Sequence, residues 1–531
     1  MKPSRRRIEP RPSTPLRKAV TGGPPVGAAN ASRGAPCDTA QLWAGVARAD
    51  ITDYQAGPVN DPLYAKALVL RDDATTVVIV TVDAVALAEI GHISNDYLAN
   101  VRLALQKELN IKPTNVLINA SHCHGTVCAD VAQRTVQAVK EAWQNMVPVR
   151  AGAGVGHENK IMENRRLRLK NGREADVRHA YSMPPDEEVV GVGPVDPQIG
   201  ILRLDRQDGR TLAVVYNFAC HPIQGVPNGG NTADLTGFAS NVIEGNLSDG
   251  TMALFLQGCA GDINPVLYKD ADHPRDAEPL GNRLGLSVVQ AVRKVRCRKG
   301  GALKVINETL ALPRADLAQC IDSLQAEQTR LLQSLKGTTL NLKTFLSLTV
   351  KYNLSRDFPS YYSHRYLHDK MIGRDDLNRL DAQNRKNIEG YVQNIHTMEE
   401  LTRVQVNLNL LKMHQAQNVA AHRQAQGGPE HGRRAAGKRT INVEVLALRI
   451  GDFVLVTFPG ELSVQIGLNI KKRSPHRFTF VAGCTNGYIY YAPTAEQLRN
   501  RGGAQEDSDC ILAPEWQKLY EKKVDAILKK L

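Results

Sequence analysis

Two histidines one residue apart, His122 and His124, sit in the segment Asn119-Ala120-Ser121-His122-Cys123-His124-Gly125-Thr126. They follow Thr114-Asn115-Val116-Leu117-Ile118, an apolar run that reads as a buried strand. Side chains alternate across a strand, so both imidazoles are expected on one side and Cys123 on the other. Two imidazoles at such a turn can grip one metal ion, or one can grip it while the other moves a proton. The plain alternative is a pair of packed, hydrogen-bonded core histidines. Further chemically useful groups stand at the ends of other apolar runs: His221 before Pro222, Asp262 in a glycine-rich turn, Glu461 after Pro459-Gly460, and Tyr491. In open α/β sheets such ends gather at one cleft. Two histidines, a carboxylate and an open position form a hydrolytic zinc pattern. The spacings are long, and local sequence does not establish that these groups meet. His221 also reads as a core histidine beside a turn, and Glu461 as a first-turn helix carboxylate. Asp234 and Asp262 read as turn or cap residues, and the cysteines beside the motifs as small core residues.

The elements that must position these groups alternate between strand and helix patterns. Residues 44–52, the hairpin 63–70 and 76–83, 149–156, 166–169, 199–205, 211–219, 252–256, 441–449, 453–458 and 478–481 read as strands. Residues 92–109, 132–144, the stretch from 231 through 243, and 280–295 read as helices, and 186–197 as a loop. From about 315 to 426 the chain turns rich in Leu, Gln, Asn, Lys and Arg, with helical spacing over 316–335 and 375–418. This predicts a helical insertion, either a lid, an oligomer surface or plain decoration. Residues 424–438 read as a mobile loop. The expected division is a disordered basic extension over 1–40, a catalytic domain over 41–314 and 441–531, and an insertion over 315–440.

The chain has 531 residues, 42% hydrophobic and 23% charged, which is a soluble globular composition. No apolar run approaches the roughly 20 residues of a membrane helix, and no standard secretory signal opens the chain. The net charge of +13 is mostly local. Residues 1–18 hold seven Lys/Arg against one Glu, and residues 432–439 hold four more, which together account for ten of the thirteen. Such segments are usually solvated. They could touch an anionic membrane or nucleic acid, with peripheral membrane contact left open and no nucleic-acid partner expected. Nine cysteines, an odd number over this length, fit a reducing compartment, and a cytoplasmic location is expected. Nothing in the sequence speaks to the oligomeric state.

Several blocks resemble the neutral/alkaline (non-lysosomal) ceramidases. Asn119–His124 resembles their Ala-Thr-His-Thr-His, and Phe218-Ala219-Cys220-His221-Pro222 is similar to their Phe-Ala-Val-His-Pro. Gly261-Asp262-Ile263-Asn264-Pro265 looks like their Gly-Asp-Val-Ser-Pro. Pro459-Gly460-Glu461, the block 486–494 and the opening 44–52 match further family blocks in the right order. The resemblance covers about residues 42–300 and 441–510. It implies an α/β fold of mixed β-sheets with flanking helices, to which the helical insertion is added. It also implies one catalytic zinc held by His122, His221, Glu461 and Tyr491, with Tyr490 or Tyr488 as substitutes for Tyr491. His124 would act on the water or the reaction oxyanion, and Arg165 matches an Asn-Arg block near the family's active site. The implied activity is hydrolysis of an amide (N-acyl) bond in a lipid-like or other small substrate. The rival readings are hydrolysis of another bond in a carbohydrate- or peptide-like substrate, and a non-catalytic binding protein on the same fold. The chain departs from the family at Asn264, where a serine is assigned a catalytic role. An asparagine cannot be a nucleophile, but its amide can hold a carbonyl or hydroxyl.

Overall fold

Alternate residues of the strands sort into opposite cores. In Thr211–Phe218, Val214, Tyr216 and Phe218 pack with Ile201, Phe255 and the helices Asp234–Gly245 and Glu278–Val292. Ala213 and Val215, on the other face, pack with Leu204, Leu256, Leu448, Phe453 and Phe480. Burial on both faces is why these strands read as nearly continuous apolar runs. Each fully buried Val, Leu or Phe adds roughly 1.5–3 kcal/mol. The computed structural model describes residues 41–177, 184–266, 268, 274–337, 340–354, 363–426 and 440–531. The expected extension over 1–40 and nearly all of the expected loop over 424–438 lie outside the described residues.

The layers run helices, sheet, sheet, helices. One mixed sheet has eight strands in the order 252–257, 211–218, 198–206, 147–157, 42–50, 64–71, 76–82 and 116–120. The other has four, in the order 303–313, 440–450, 453–457 and 478–482. Helices Tyr97–Leu109, Val131–Gln144, Asp234–Gly245 and Glu278–Val292 cover the larger sheet, and Val464–Arg473 and Trp516–Leu528 cover the smaller. Gly45 shows how tightly a helix seats on its strand, because a Cβ there would lie 1.9 Å from the Ala142 carbonyl oxygen. Most strand pairs are antiparallel. Within these two sheets three are parallel, 76–82 with 116–120, 211–218 with 252–257, and 453–457 with 478–482, and the separate two-residue pair 461–462 with 491–492 is parallel too. His122, His221 and Glu461 each follow the C-terminal end of a strand from one of the first three pairs.

The mixed α/β architecture agrees with the expectation from sequence. Differences are local. The helix expected from 92 begins at Tyr97. The segment expected as a loop over 186–197 contains a short strand, Val189–Val192, paired with Arg166–Leu169. The strand Leu303–Pro313 is half-exposed and carries Lys304 and Glu308, so its pattern does not read as a strand. Between 318 and 426 the described residues form helices Ala318–Ser334, Leu342–Leu354, Ser363–Met371 and Asp376–Gln426. Leu324 and Leu331 of the first pack against Leu401, Val404, Leu408 and Leu411 of the last. The last helix also docks on the body. Asn418 donates Nδ2 to the Ala315 and Ile511 carbonyls, and His414 Nε2 lies 2.7 Å from Asp509 Oδ1.

Candidate metal centre

The strand Val116–Ala120 ends before the histidines, and the backbone then turns. The Ser121 and His122 amides donate to the Val82 and Ala84 carbonyls, each at 2.9 Å, and His122 takes a φ of 72°. A left-handed conformation strains a non-glycine residue and is held only where its surroundings demand it. Strand alternation therefore does not extend to this segment. His122 is buried and His124 exposed, with ring centroids 6.0 Å apart and planes at 77°. Cys123 does turn into the core, as expected.

Three chain segments bring their ligand-type atoms within 4.8 Å of one another: His122, His221 and Glu461, all buried. His122 Nδ1 lies 2.6 Å from the Val85 carbonyl oxygen, and His221 Nδ1 lies 2.9 Å from that of Ile263. A carbonyl only accepts, so each Nδ1 carries the hydrogen and each Nε2 presents its lone pair when the ring is neutral. Both Nε2 atoms face one carboxylate oxygen, Glu461 Oε2, at 3.3 Å from His122 and 2.9 Å from His221. The other oxygen, Oε1, accepts from the Tyr488 hydroxyl at 2.5 Å. The Glu461 backbone is seated between the Tyr490 carbonyl and Gly261, whose amide donates to the Leu462 carbonyl at 2.9 Å. A Cβ on Gly261 would lie 2.7 Å from the Glu461 carbonyl oxygen, so glycine is required for this approach.

Two lone pairs and a carboxylate oxygen facing one point need a cation there. Burial alone would lower the His122 pKa, but the Glu461 carboxylate outweighs it and holds that imidazole protonated. Burial and the nearby Arg165 charge push His221 down to about 3. Glu461 stays ionised despite its burial, with His122 the main cause. A single proton thus satisfies only one of the two imidazoles. One divalent ion would satisfy all three groups, and a two-nitrogen, one-carboxylate donor set suits zinc. The buried group can hold a metal.

Arg165 organises the next ring of contacts. It is buried, donates Nη1 to Asn264 Oδ1 at 3.1 Å and Nη2 to the Gly261 carbonyl at 2.6 Å, and reaches the Tyr491 hydroxyl at 3.3 Å. Its Nε lies 2.6 Å from Glu506 Oε1. Tyr491 sits opposite Glu461 in the two-residue pair Glu461–Leu462 with Tyr491–Ala492, and its ring stacks on His221 at 6.5 Å. Asn264 is fully buried, and its Nδ2 has no hydrogen-bond partner among the described residues. The structure thus gathers Arg165, Asn264, Tyr488 and Tyr491 around the three-residue cluster. Tyr490 turns elsewhere, with its hydroxyl between Glu89 and Gln417. Asp262 takes the Val464 amide at the start of a helix, and Asp234 the amides of Gly225 and Leu235, so both act as caps.

Sequence reasoning missed the carboxylates that neutralise the arginines. Arg166 pairs with Asp507 at 2.8 Å and Glu174 at 2.6 Å, while Arg165 pairs with Glu506. The usable signal was two adjacent arginines followed by two adjacent acids late in the chain, since buried charges occur in compensating sets. Cys484, read as a core residue, is buried but also lies 3.7 Å from His122 Nδ1.

No known family model and no curated protein matches this chain. Solved structures do. Neutral ceramidase from Pseudomonas aeruginosa is 16% identical, with a TM-score of 0.56 over 93% of this chain and 75% of its own. A structure described as ceramidase complexed with C2 also shows 16% identity and a TM-score of 0.56, over 93% of this chain and 76% of its own. At that distance in sequence the likeness is one of fold, and the fold of this chain is that of neutral ceramidase.

Proposed function

We propose that this protein is a zinc-dependent hydrolase of the neutral ceramidase type that cleaves an amide (N-acyl) bond in a lipid-like substrate. The observation that carries this reading is the convergence of His122 Nε2, His221 Nε2 and Glu461 Oε2, with both imidazoles locked by backbone carbonyls. It is supported by the fold shared with proteins described as ceramidases. Zinc would be held by these three residues, with Tyr491 as the fourth ligand. Bound there it would polarise the amide carbonyl and lower the pKa of water to about 7.

The surrounding residues have defined tasks in this reading. Tyr488 fixes the Glu461 carboxylate through Oε1 and so aims Oε2 at the imidazoles. Second to burial, Arg165 helps keep His221 neutral, and therefore able to ligate, by its nearby positive charge. It also accounts for one end of the Asn264 amide, which leaves Nδ2 free to donate to a substrate carbonyl or oxyanion. Asparagine at this position has no hydroxyl to act as a nucleophile, which fits attack by water. His124, exposed beside His122, would take the proton from that water and return it to the leaving amine.

The test is metal analysis of the purified protein combined with a deacylation screen of N-acyl lipids and N-acyl amino sugars, with and without chelator. We expect one zinc per chain and a chelator-sensitive release of fatty acid, both lost in His122→Ala. Full activity in His122→Ala, or in metal-free protein, would overturn the proposal.

A further inference from the structure

Besides the buried Arg166, four arginines from two segments of the chain, Arg168, Arg173, Arg499 and Arg501, line one cleft of about 980 Å³. Arg168 shares a strand face with Arg166, two residues before it. Arg173 sits at the following turn, and Arg499 lies in the short helix Gln497–Asn500. These guanidinium groups are treated very differently from that of Arg166. Arg166 is buried and matched by Asp507 and Glu174. Arg168 and Arg499 are exposed and have no ion-pair partner among the described residues, whereas Arg173, also exposed, has the Glu327 carboxylate nearby. Arg501 donates to the Leu512 carbonyl, which leaves its charge uncompensated.

Of the three carboxylates in the cleft wall two are spent, and the third, Glu496, is exposed, so the arginines still outnumber the open acids. Glu174 is taken by Arg166, and Asp262 accepts from the Val464 amide and from Gln497 Nε2. Lone surface arginines are ordinary solvated residues. Several on one concave wall concentrate a positive field. The volume lies in the range of small-molecule sites, and guanidinium forks suit phosphate oxygens in particular.

We propose that this cleft binds a phosphorylated compound, with its phosphate held by Arg168 and Arg499. The inference is independent of the hydrolytic reading, because none of the four arginines belongs to the metal cluster. The cleft is nonetheless close to it in covalent terms. Asp262 lines the cleft, and its neighbour Gly261 accepts from Arg165.

The experiment titrates glycerol 2-phosphate into the full-length, zinc-loaded protein by calorimetry. Sedimentation with phosphatidylglycerol-containing vesicles runs in parallel. Binding in the first arm identifies a free phosphorylated molecule, and binding in the second alone a lipid headgroup. In either case Arg168→Ala/Arg499→Ala should weaken binding at least about tenfold, the loss of one charge-assisted contact. Lys107→Ala/Lys343→Ala, which removes the same charge elsewhere, should leave binding unchanged. His122→Ala should also bind normally even if it holds no metal. Binding lost in His122→Ala but kept in the arginine variant would place the anion on the metal and overturn the proposal, as would no binding in either arm.

Discussion

Two clusters of buried charge lie side by side in this protein, and they are completed in different ways. The quartet Arg165, Arg166, Glu506 and Asp507 carries two positive and two negative groups, all nearly inaccessible to solvent. The cluster His122, His221 and Glu461 carries one fixed negative charge and two inward-facing imidazole nitrogens. The first is compensated by the chain's own side chains, with Glu174 as a further partner of Arg166. The second needs a proton or a metal ion from outside. Removing a group from the quartet should cost stability, whereas removing one from the histidine cluster should cost ion binding and the function built on it.

The sharpest break is Glu461→Gln. On the proposed reading it removes the charged ligand, and it should lower zinc affinity by more than the ~10–100-fold typical of losing an outer partner. Zinc stoichiometry by mass spectrometry and fatty-acid release should fall together. Unchanged stoichiometry would show that the cluster is not the metal site.

Next in size is Arg166→Met, which leaves Asp507 buried without its partner and should cost ~3–5 kcal/mol in urea unfolding. Arg166→Met/Asp507→Leu should recover most of that loss, since an apolar replacement of a whole buried pair is often neutral or stabilising. If the double variant is as unstable as the single one, the quartet does more than compensate its own charges.

A pH series separates the clusters further. Burial, only partly opposed by Arg166, raises the Asp507 pKa from 3.8 to about 6. A group whose folded pKa is raised contributes stability that is complete below the unfolded value and fades as pH climbs through the folded one. The stability of the native protein relative to Asp507→Asn should therefore decline by up to ~3 kcal/mol between about pH 4 and pH 6. A flat difference across that window would show that the pKa is not raised.

The smallest effect is expected for Tyr488→Phe. The ring stays and only the hydrogen bond to Glu461 Oε1 is lost. Zinc affinity should drop ~10–100-fold with unfolding unchanged. Equal affinity for zinc in the two proteins would remove Tyr488 from the site.

Much of this arrangement was legible beforehand. His221 and Glu461 stand after apolar strands, and an ionisable group there invites a functional reading. The strand Val116–Ala120 likewise announced His122. The mutual position of His122 and His124 was not legible, because the alternation rule holds only within a strand and the chain leaves it at Ala120. Tyr488 was named only as a substitute for Tyr491, yet it bonds Glu461 while Tyr491 meets Arg165. Neighbouring residues of an irregular segment point where local backbone angles send them, and Tyr490 at φ 66° reverses the expected order.

By itself the sequence determined which residue types are available and at which strand ends they stand, because period-two burial and turn residues are local properties. It also determined that the region beyond 315 is helical. Only the tertiary structure decided that Glu461, 240 residues from His221, sets one carboxylate oxygen within reach of both His122 and His221. The physical reason is that three parallel strand pairs in two stacked sheets end near one place, and no short-range signal encodes how separate sheets stack.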